Sequence, residues 1–452
     1  MQESLTETLR QVHLISLGCA RNKVDSEVML GTLLGEGWRH TDEPEQADAI
    51  VINTCGFIDA AKEESIDTIL NAAALKKSRP GLRLVVTGCL TQRYRKQLAD
   101  GLPEVDFFVG TDEFTKIAEL LKSPPPQGTV LAKRTNYLYT DAMPRVNTLP
   151  GYAAYVKVAE GCQHHCSFCI IPAIRGRLRS RPIDSIVREV GDLCRQGVRE
   201  INLIAQDLAA YGRDQGSDQL LPLLRELVKT DISWIRLLYI YPENISDEFL
   251  EFFASEDKLV KYLDIPVQHA SDRILQKMNR GITQKELRES IRKVRSYVPD
   301  VAIRTSVMVG FPGETEEDFE ELKTFVRETE FSHLGCFTYS QEEGTVAARL
   351  PGQIPEEIRQ QRQQQIMELQ REISAECLRR MVGKTMPVLV SGASSETELL
   401  WEGRLATQAP EVDGVVYLNE GKPVAGEIQM VRISASHDYD LIGEVLVEHS
   451  SM

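Results

Sequence analysis

The sequence has 452 residues, 42% hydrophobic and 26% charged, with a formal net charge of -15; it is long enough for two or three domains and too ordinary in composition for a fibre or a disordered chain. No apolar run approaches the ~18 residues of a membrane span, and Met1–Gln11 carries Glu3, Glu7 and Arg10 without an apolar core, so a soluble, cytoplasmic protein is expected, with no membrane partner. The acidic surplus repels polyanions; a nucleic-acid partner would need a local basic patch, whereas a basic protein partner fits more easily.

Taken in chain order, the first segment alternates apolar runs with helical patterns. HLISLGC ends at Cys19, AIVINTC at Cys55 and RLVVTGC at Cys89, a βαβ pattern that predicts a parallel α/β domain over 11–127. The run Ser123–Gly128 (SPPPQG) reads as a linker, and a domain boundary is expected there. From Tyr152 six candidate strands run on: AAYVKVAEG, REINLIAQD, WIRLLYIYP, YLDIPVQH, AIRTSVMVG and LGCFTYS. They interleave with helices such as Ile183–Gln196, Glu286–Tyr297 and Glu316–Arg327, which predicts an open or partial (β/α)6 barrel over 141–378, with its chemistry at the carboxyl ends of the strands. The Gln-rich stretch from Pro355 to about Arg380 has too few apolar positions for a coiled coil and reads as a packed connector helix. Beyond it, short β-rich runs between Gly, Asp and Pro turns predict a small antiparallel β-barrel over 379–452.

Nine cysteines in a chain without an export signal point to metal ligation or catalysis rather than disulfides. Cys162, Cys166 and Cys169 stand as C-x3-C-x2-C just after the first strand of the second domain. Three thiolates in one loop can hold three irons of a cubane 4Fe-4S cluster and leave the fourth iron open to a small molecule. A zinc site fits less well, because no fourth Cys stands at zinc-ribbon spacing. With Phe168 before the last Cys, the loop resembles the signature of the radical S-adenosylmethionine superfamily. That resemblance implies that the open iron binds S-adenosylmethionine and that one-electron reduction yields a 5'-deoxyadenosyl radical, the protein binding, orienting and shielding the cofactor.

Cys19, Cys55 and Cys89 have no short spacing, yet each ends a predicted parallel strand, and the carboxyl ends of such strands share one edge. They are either a second ligand set or three small groups packed at that edge. LGCARNKVDSE, NTCGFIDAAKEES and VTGCLTQRY resemble the amino-terminal domain of the methylthiotransferases, and the resemblance runs through the core and the terminal barrel, which is similar to a TRAM domain. It implies two 4Fe-4S clusters: an auxiliary one on Cys19, Cys55 and Cys89, thought to carry or supply the sulfur, and a radical-generating one on Cys162, Cys166 and Cys169. It also implies S-adenosylmethionine as methyl donor and radical source, a reductant such as flavodoxin or ferredoxin, and a monomeric enzyme.

Strand ends supply candidate cofactor contacts: Gln206, Gln268, Val309 and Gly310, with Gly313 and Glu314 beside them, where glycine either admits a nucleotide or simply frees a turn. Arg175, Arg177, Arg179 and Arg181 are either counter-charges for an anion or a solvated run. Cys194, Cys336 and Cys377 sit in apolar surroundings and read as buried structural thiols.

The segment CIIPAIRGRLRSRP, with LIAQD and YSQEEGT, is similar to the branch of the family that acts on a small-subunit ribosomal protein rather than on tRNA. From Met381 to Met452 eleven Asp or Glu stand against four Lys or Arg, a formal charge of -7. Such a barrel repels tRNA and attracts a Lys/Arg-rich protein. The resemblance therefore implies β-methylthiolation of an aspartate of small-subunit ribosomal protein twelve. The alternatives are tRNA adenosine methylthiolation and, in another class, an iron-sulfur electron carrier or sensor.

Overall fold

A computed structural model describes residues 10–134, 136–150, 152–394, 397 and 399–446. The amino-terminal residues before Arg10, the end of the last domain beyond 446, and Glu396, Glu398 and Glu448 of the acidic count lie outside the described residues. The chain forms two compact units, one of Met1–Thr148, Ala159–His164 and Cys169–Arg181, the other of Leu149–Val158, His165–Phe168 and Pro182–Met452. No helix among the described residues is long and apolar enough to cross a membrane.

The first unit is built on a six-stranded, all-parallel sheet in the order Arg39–His40, Gln11–Ser16, Ala49–Thr54, Arg83–Gly88, Phe107–Val109, Thr129–Leu131. Its central strands are continuous runs rather than alternating ones, because both faces are covered; every residue of Ala49–Thr54 is buried. Ala49, Val51, Val85 and Phe107 face the side covered by the helix Ala20–Gly35. Ile50, Ile52, Leu84 and Phe108 face the side that holds Ile69, Leu90 and Leu98 of the helices Asp59–Ser78 and Cys89–Gly101. The Pro-rich run at Ser123–Gly128 does not end this domain. It turns the chain into Thr129–Leu131, the sheet's last strand, since proline fixes a turn without dictating whether the next residues rejoin the sheet or leave it.

The second unit contains six parallel strands paired in sequence order: Ala153–Lys157, Glu200–Ile204, Trp234–Leu237, Leu259–Asp264, Ala302–Val309 and His333–Thr338. The sheet is open, the partial barrel expected from six repeats. AAYVKVAEG is one run in the sequence but two strands, because Ala159–Glu160 leaves the sheet to pair with Arg179–Ser180. The helix Glu356–Arg379 packs along the edge strand. Its buried line is Arg362, Ile366, Gln370, Ser374 and Leu378, a mostly polar i, i+4 row, which is why its apolar pattern is sparse. Arg362 reaches Glu314 at 2.7 Å, and Gln370 donates to the carbonyl of Phe331 at 2.8 Å.

The carboxy-terminal strands Thr385–Ala393, Trp401–Leu405, Val416–Glu420, Leu441–Val445 and Ile428–Ser436 close into a barrel. One of its five pairings, Val416–Glu420 with Leu441–Val445, is parallel rather than antiparallel, because Ile428–Ser436 crosses to pair with the first strand before the chain returns. Ion pairs fix this barrel to the sheet. Glu200, wholly buried, lies 2.8 Å from Arg236 and 2.6 Å from Arg404, and Asp413 accepts from Tyr262 Oη at 2.8 Å. Burial pushes the Glu200 carboxyl up, but Arg404 and Arg236 outweigh it and hold it below the usual range, so it stays ionised.

Candidate active site

Cys19, Cys55 and Cys89 stand just beyond three adjacent strands of the first sheet, Gln11–Ser16, Ala49–Thr54 and Arg83–Gly88, at their carboxyl ends. Such an edge is where open α/β sheets bind ligands. Two glycines let the three turns close together. A Cβ on Gly18, which has φ +89, would lie 2.8 Å from Cys55 Cβ, and one on Gly56 would lie 2.8 Å from Leu90 Cα, next to Cys89. Polar side chains bind the turns to one another. Asn22 donates to the carbonyls of Leu17 and Thr54 at 3.0 and 2.9 Å, and Ser65 Oγ exchanges hydrogen bonds with the Cys55 main chain at 3.1 and 3.0 Å.

Arg175 supplies the positive charge. Its guanidinium is buried, 2.7 Å from Asp25, 3.3 Å from Glu160 and 3.3 Å from Cys89 Sγ, and it also donates to Asn22 Oδ1. Burial opposes its charge, but Cys89, Glu160, Asp25 and Cys19 more than offset that. Cys19 stands at the amino end of the helix Ala20–Gly35. Burial pushes its thiol up, yet Arg21, Arg175 and the main-chain N–H groups of Asn22 and Arg21 bring it below the ordinary value. Cys55 is pushed up to about 12 by burial and by Cys89, and burial raises Cys89 against the pull of Arg175. Three thiols that repel one another as thiolates suit a cationic iron core, which would relieve that repulsion. Among the described residues no three His, Cys, Asp or Glu side chains close on a single ion. A cubane takes its thiolates on separate irons, so its ligands stand further apart than those around one ion.

The second cysteine loop is divided between the two units. Within the first, the Cys162 N–H donates to the Gly176 carbonyl at 3.1 Å. Within the second, Cys166 Sγ lies 3.2 Å from Tyr241 Oη, and the Arg280 guanidinium stacks 3.8 Å over the Tyr241 ring. Ser167 ties the loop down by donating to the carbonyls of Met278 and Lys277 at 2.9 and 2.7 Å. Phe168, the aromatic of the motif, packs against the apolar cluster of Ile274, Met278, Phe311, Tyr339 and Ala347.

Gln206, Gln268, Val309 and Gly310 stand at the carboxyl edge of the second sheet. Gln268 adopts φ +70 and pairs with Val307, two residues before Val309. Other candidates have structural partners: Gly310 packs against the Arg359 side chain, and Glu314 turns inward to His269 and Arg362 at 3.5 and 2.7 Å. Of the basic run, Arg175 and Arg181 are buried, Arg179 is partly buried and Arg177 is exposed, so only part of it is solvated. Cys336 is buried as expected, but Cys194 and Cys377 are only partly so, because their helices present them near the surface. Pattern and spacing alone do not single out Asn22, Asp25, Glu160, Tyr241 or Arg280; Asn22 and Asp25 lie inside the segment that carries the family resemblance, which is the signal available for them.

Residues 11–110 match the uncharacterized protein family UPF0004, residues 156–326 the radical SAM superfamily, and residues 382–446 the TRAM domain. In fold the chain is similar to the radical S-adenosylmethionine methyltransferase TsrM from Kitasatospora setae, with a TM-score of 0.53 at 15% identity over 73% of this chain and 75% of that one. The three domains thus define a radical SAM protein with an amino-terminal α/β domain and a terminal TRAM barrel. The chain is 47% identical over 446 residues to the ribosomal protein uS12 methylthiotransferase RimO of Geobacter sulfurreducens, covering 98% of this chain and 100% of that one. It is 48% identical to the RimO of Myxococcus xanthus, over 98% of this chain and 93% of the relative. It belongs to the RimO family.

Proposed function

We propose that this chain methylthiolates the β-carbon of one aspartate of ribosomal protein uS12, with Cys162, Cys166 and Cys169 as ligands of the radical-generating 4Fe-4S cluster and Cys19, Cys55 and Cys89 as ligands of the auxiliary one. The observation that carries this is the near end-to-end relation to uS12 methylthiotransferases; the convergence of three strand-end thiols around a buried guanidinium supports the second ligand set. When bound, the two clusters and S-adenosylmethionine supply the one-electron chemistry, the sulfur and the methyl group.

The residues of this chain do the rest. Arg175 and the helix end at Cys19 balance the negative charge of a thiolate set in a buried place. Tyr241 and Arg280 hold Cys166, and Phe168 anchors its loop, so that the ligands keep their spacing. Gln206, Gln268, Val309 and Gly310 line the strand ends where S-adenosylmethionine would lie. The acidic barrel selects a basic protein over tRNA, and a flavodoxin or ferredoxin serves as reductant to an enzyme that works as a single copy in the cytoplasm.

In cells whose copy of this gene is disrupted, intact-mass analysis of ribosomal proteins is expected to find uS12 lighter by one methylthio group in place of hydrogen, restored by complementation. An unchanged uS12, with a methylthio group missing from tRNA, would move the substrate to nucleic acid.

A further inference from the structure

Beside the auxiliary cysteines lies a cavity of about 190 Å³ lined by Asp112, Arg134, Asn136, Ile174, Gly176 and the arginines Arg175, Arg177 and Arg179. Arg175 is already paired, with Asp25 and Glu160. That leaves Arg134, Arg177 and Arg179 facing one lining carboxylate, Asp112, which lies 4.0 Å from Arg179 Nη2, at the limit of an ion pair. The hydrogen bonds that hold Arg134 and Arg179 run to main-chain carbonyls. Arg134 donates to Pro172 and Ala173, and Arg179 donates to Arg175, Arg177 and Tyr137 at 3.2–3.3 Å. Carbonyls orient a guanidinium without neutralising it. Arg179 Nε is buried without a hydrogen-bond partner among the described residues. Gly176, with φ +81, forms part of the lining; a Cβ there would come within 2.9 Å of Arg179 Nη1 and 3.0 Å of Arg134 Nη1, so both guanidinium tips lie over this glycine.

Two guanidiniums gathered over one glycine, with a third beside them and one carboxylate at ion-pair range, make a locally cationic pocket that favours an anion. The cavity has the volume of a single side chain, too small for a nucleotide. Within the same unit it is linked through Arg175 to Cys89 and through the Gly176 carbonyl to the Cys162 N–H. We infer that this cavity binds the side-chain carboxylate of the substrate aspartate, with Arg179 as its inner partner and Arg134 and Arg177 at its exposed mouth. The inference rests on the uS12 reading above and adds what holds the reacting residue: guanidinium forks that match a carboxylate and reject an amide.

The test uses the reconstituted holoenzyme and fluorescently labelled uS12 carrying either the target aspartate or asparagine in its place, with anisotropy as readout. The parent is expected to bind the aspartate form about tenfold or more tightly than the asparagine form, the size of one charge-assisted hydrogen bond. Arg179→Gln brings that ratio close to one while leaving the asparagine form's affinity unchanged, and Arg179→Lys falls between. Arg134→Gln, at an exposed position, lowers the ratio in the same direction. Cluster content is checked by iron analysis and visible absorption. Equal binding of both forms by the parent, or an equal loss for both forms in Arg134→Gln and Arg179→Gln, overturns the inference while leaving uS12 as substrate. A parent that binds neither form and thiolates tRNA instead removes the uS12 reading, and this one with it.

Discussion

Replacing Cys162 by Ala is expected to reduce reductive cleavage of S-adenosylmethionine to the uncatalysed background, whereas Cys55→Ala leaves cleavage running and stops sulfur insertion. The asymmetry comes from the two placements. Cys162 belongs to the C-x3-C-x2-C loop, whose three thiolates would leave one iron of the proposed radical-generating cluster open, while Cys55 stands beyond a strand of a different sheet. Each variant should keep about four irons per chain where the parent holds about eight, one cubane in place of two. Cleavage measured as 5'-deoxyadenosine release, with iron counted on the same sample, separates the roles. Equal loss of cleavage in both variants would contradict a division of labour between the cysteine sets.

Arg175→Met should be the most damaging substitution outside the cysteines. It takes the guanidinium away from Asp25 and Glu160, both buried, and removes the hydrogen bond to Cys89 Sγ. Removing one partner of a buried ion pair costs about 3–5 kcal/mol. For a unit of this size that lowers its unfolding temperature by roughly 6–20 °C. Arg175→Lys keeps the charge but cannot span Asp25, Glu160, Asn22 and Cys89 at once, so it should lie between. Iron bound by the auxiliary site should fall with stability, while the loop of Cys162, Cys166 and Cys169 still loads. Calorimetry and iron analysis check this; an unaltered transition in Arg175→Met would mean that the buried ion web contributes little.

Much of the candidate site is legible in the sequence because the chemistry proposed for it rests on residue types with few other uses. Cysteines at C-x3-C-x2-C, or at the ends of successive apolar runs, declare themselves by spacing and by strand polarity. The parallel sheets are legible for the same reason: buried strands such as AIVINT are unbroken apolar runs. What the sequence hides is polar burial. Nothing about Arg175 distinguishes it from Arg177 two residues on, yet one is buried in an ion web and the other exposed, because the short helix Ile171–Arg175 ends between them. The helix Glu356–Arg379 likewise buries Arg362 and Gln370, so hydropathy gives little sign of the face it packs. Proline misleads in the other direction, since SPPPQG looks like a linker and is a turn inside a sheet. The parallel pairing that closes the small barrel depends on how a late strand crosses it, which local pattern does not encode.

The most direct test is anaerobic reconstitution: both clusters assembled, reductant, sulfide and S-adenosylmethionine added, and purified uS12 and bulk tRNA offered in parallel, each read by mass spectrometry. A methylthio group on one aspartate of uS12, and none on tRNA, is the expected result. A methylthio group on a tRNA adenosine with uS12 unmodified would keep the enzyme class and contradict the substrate, and with it the part assigned to the acidic barrel and the arginine cavity.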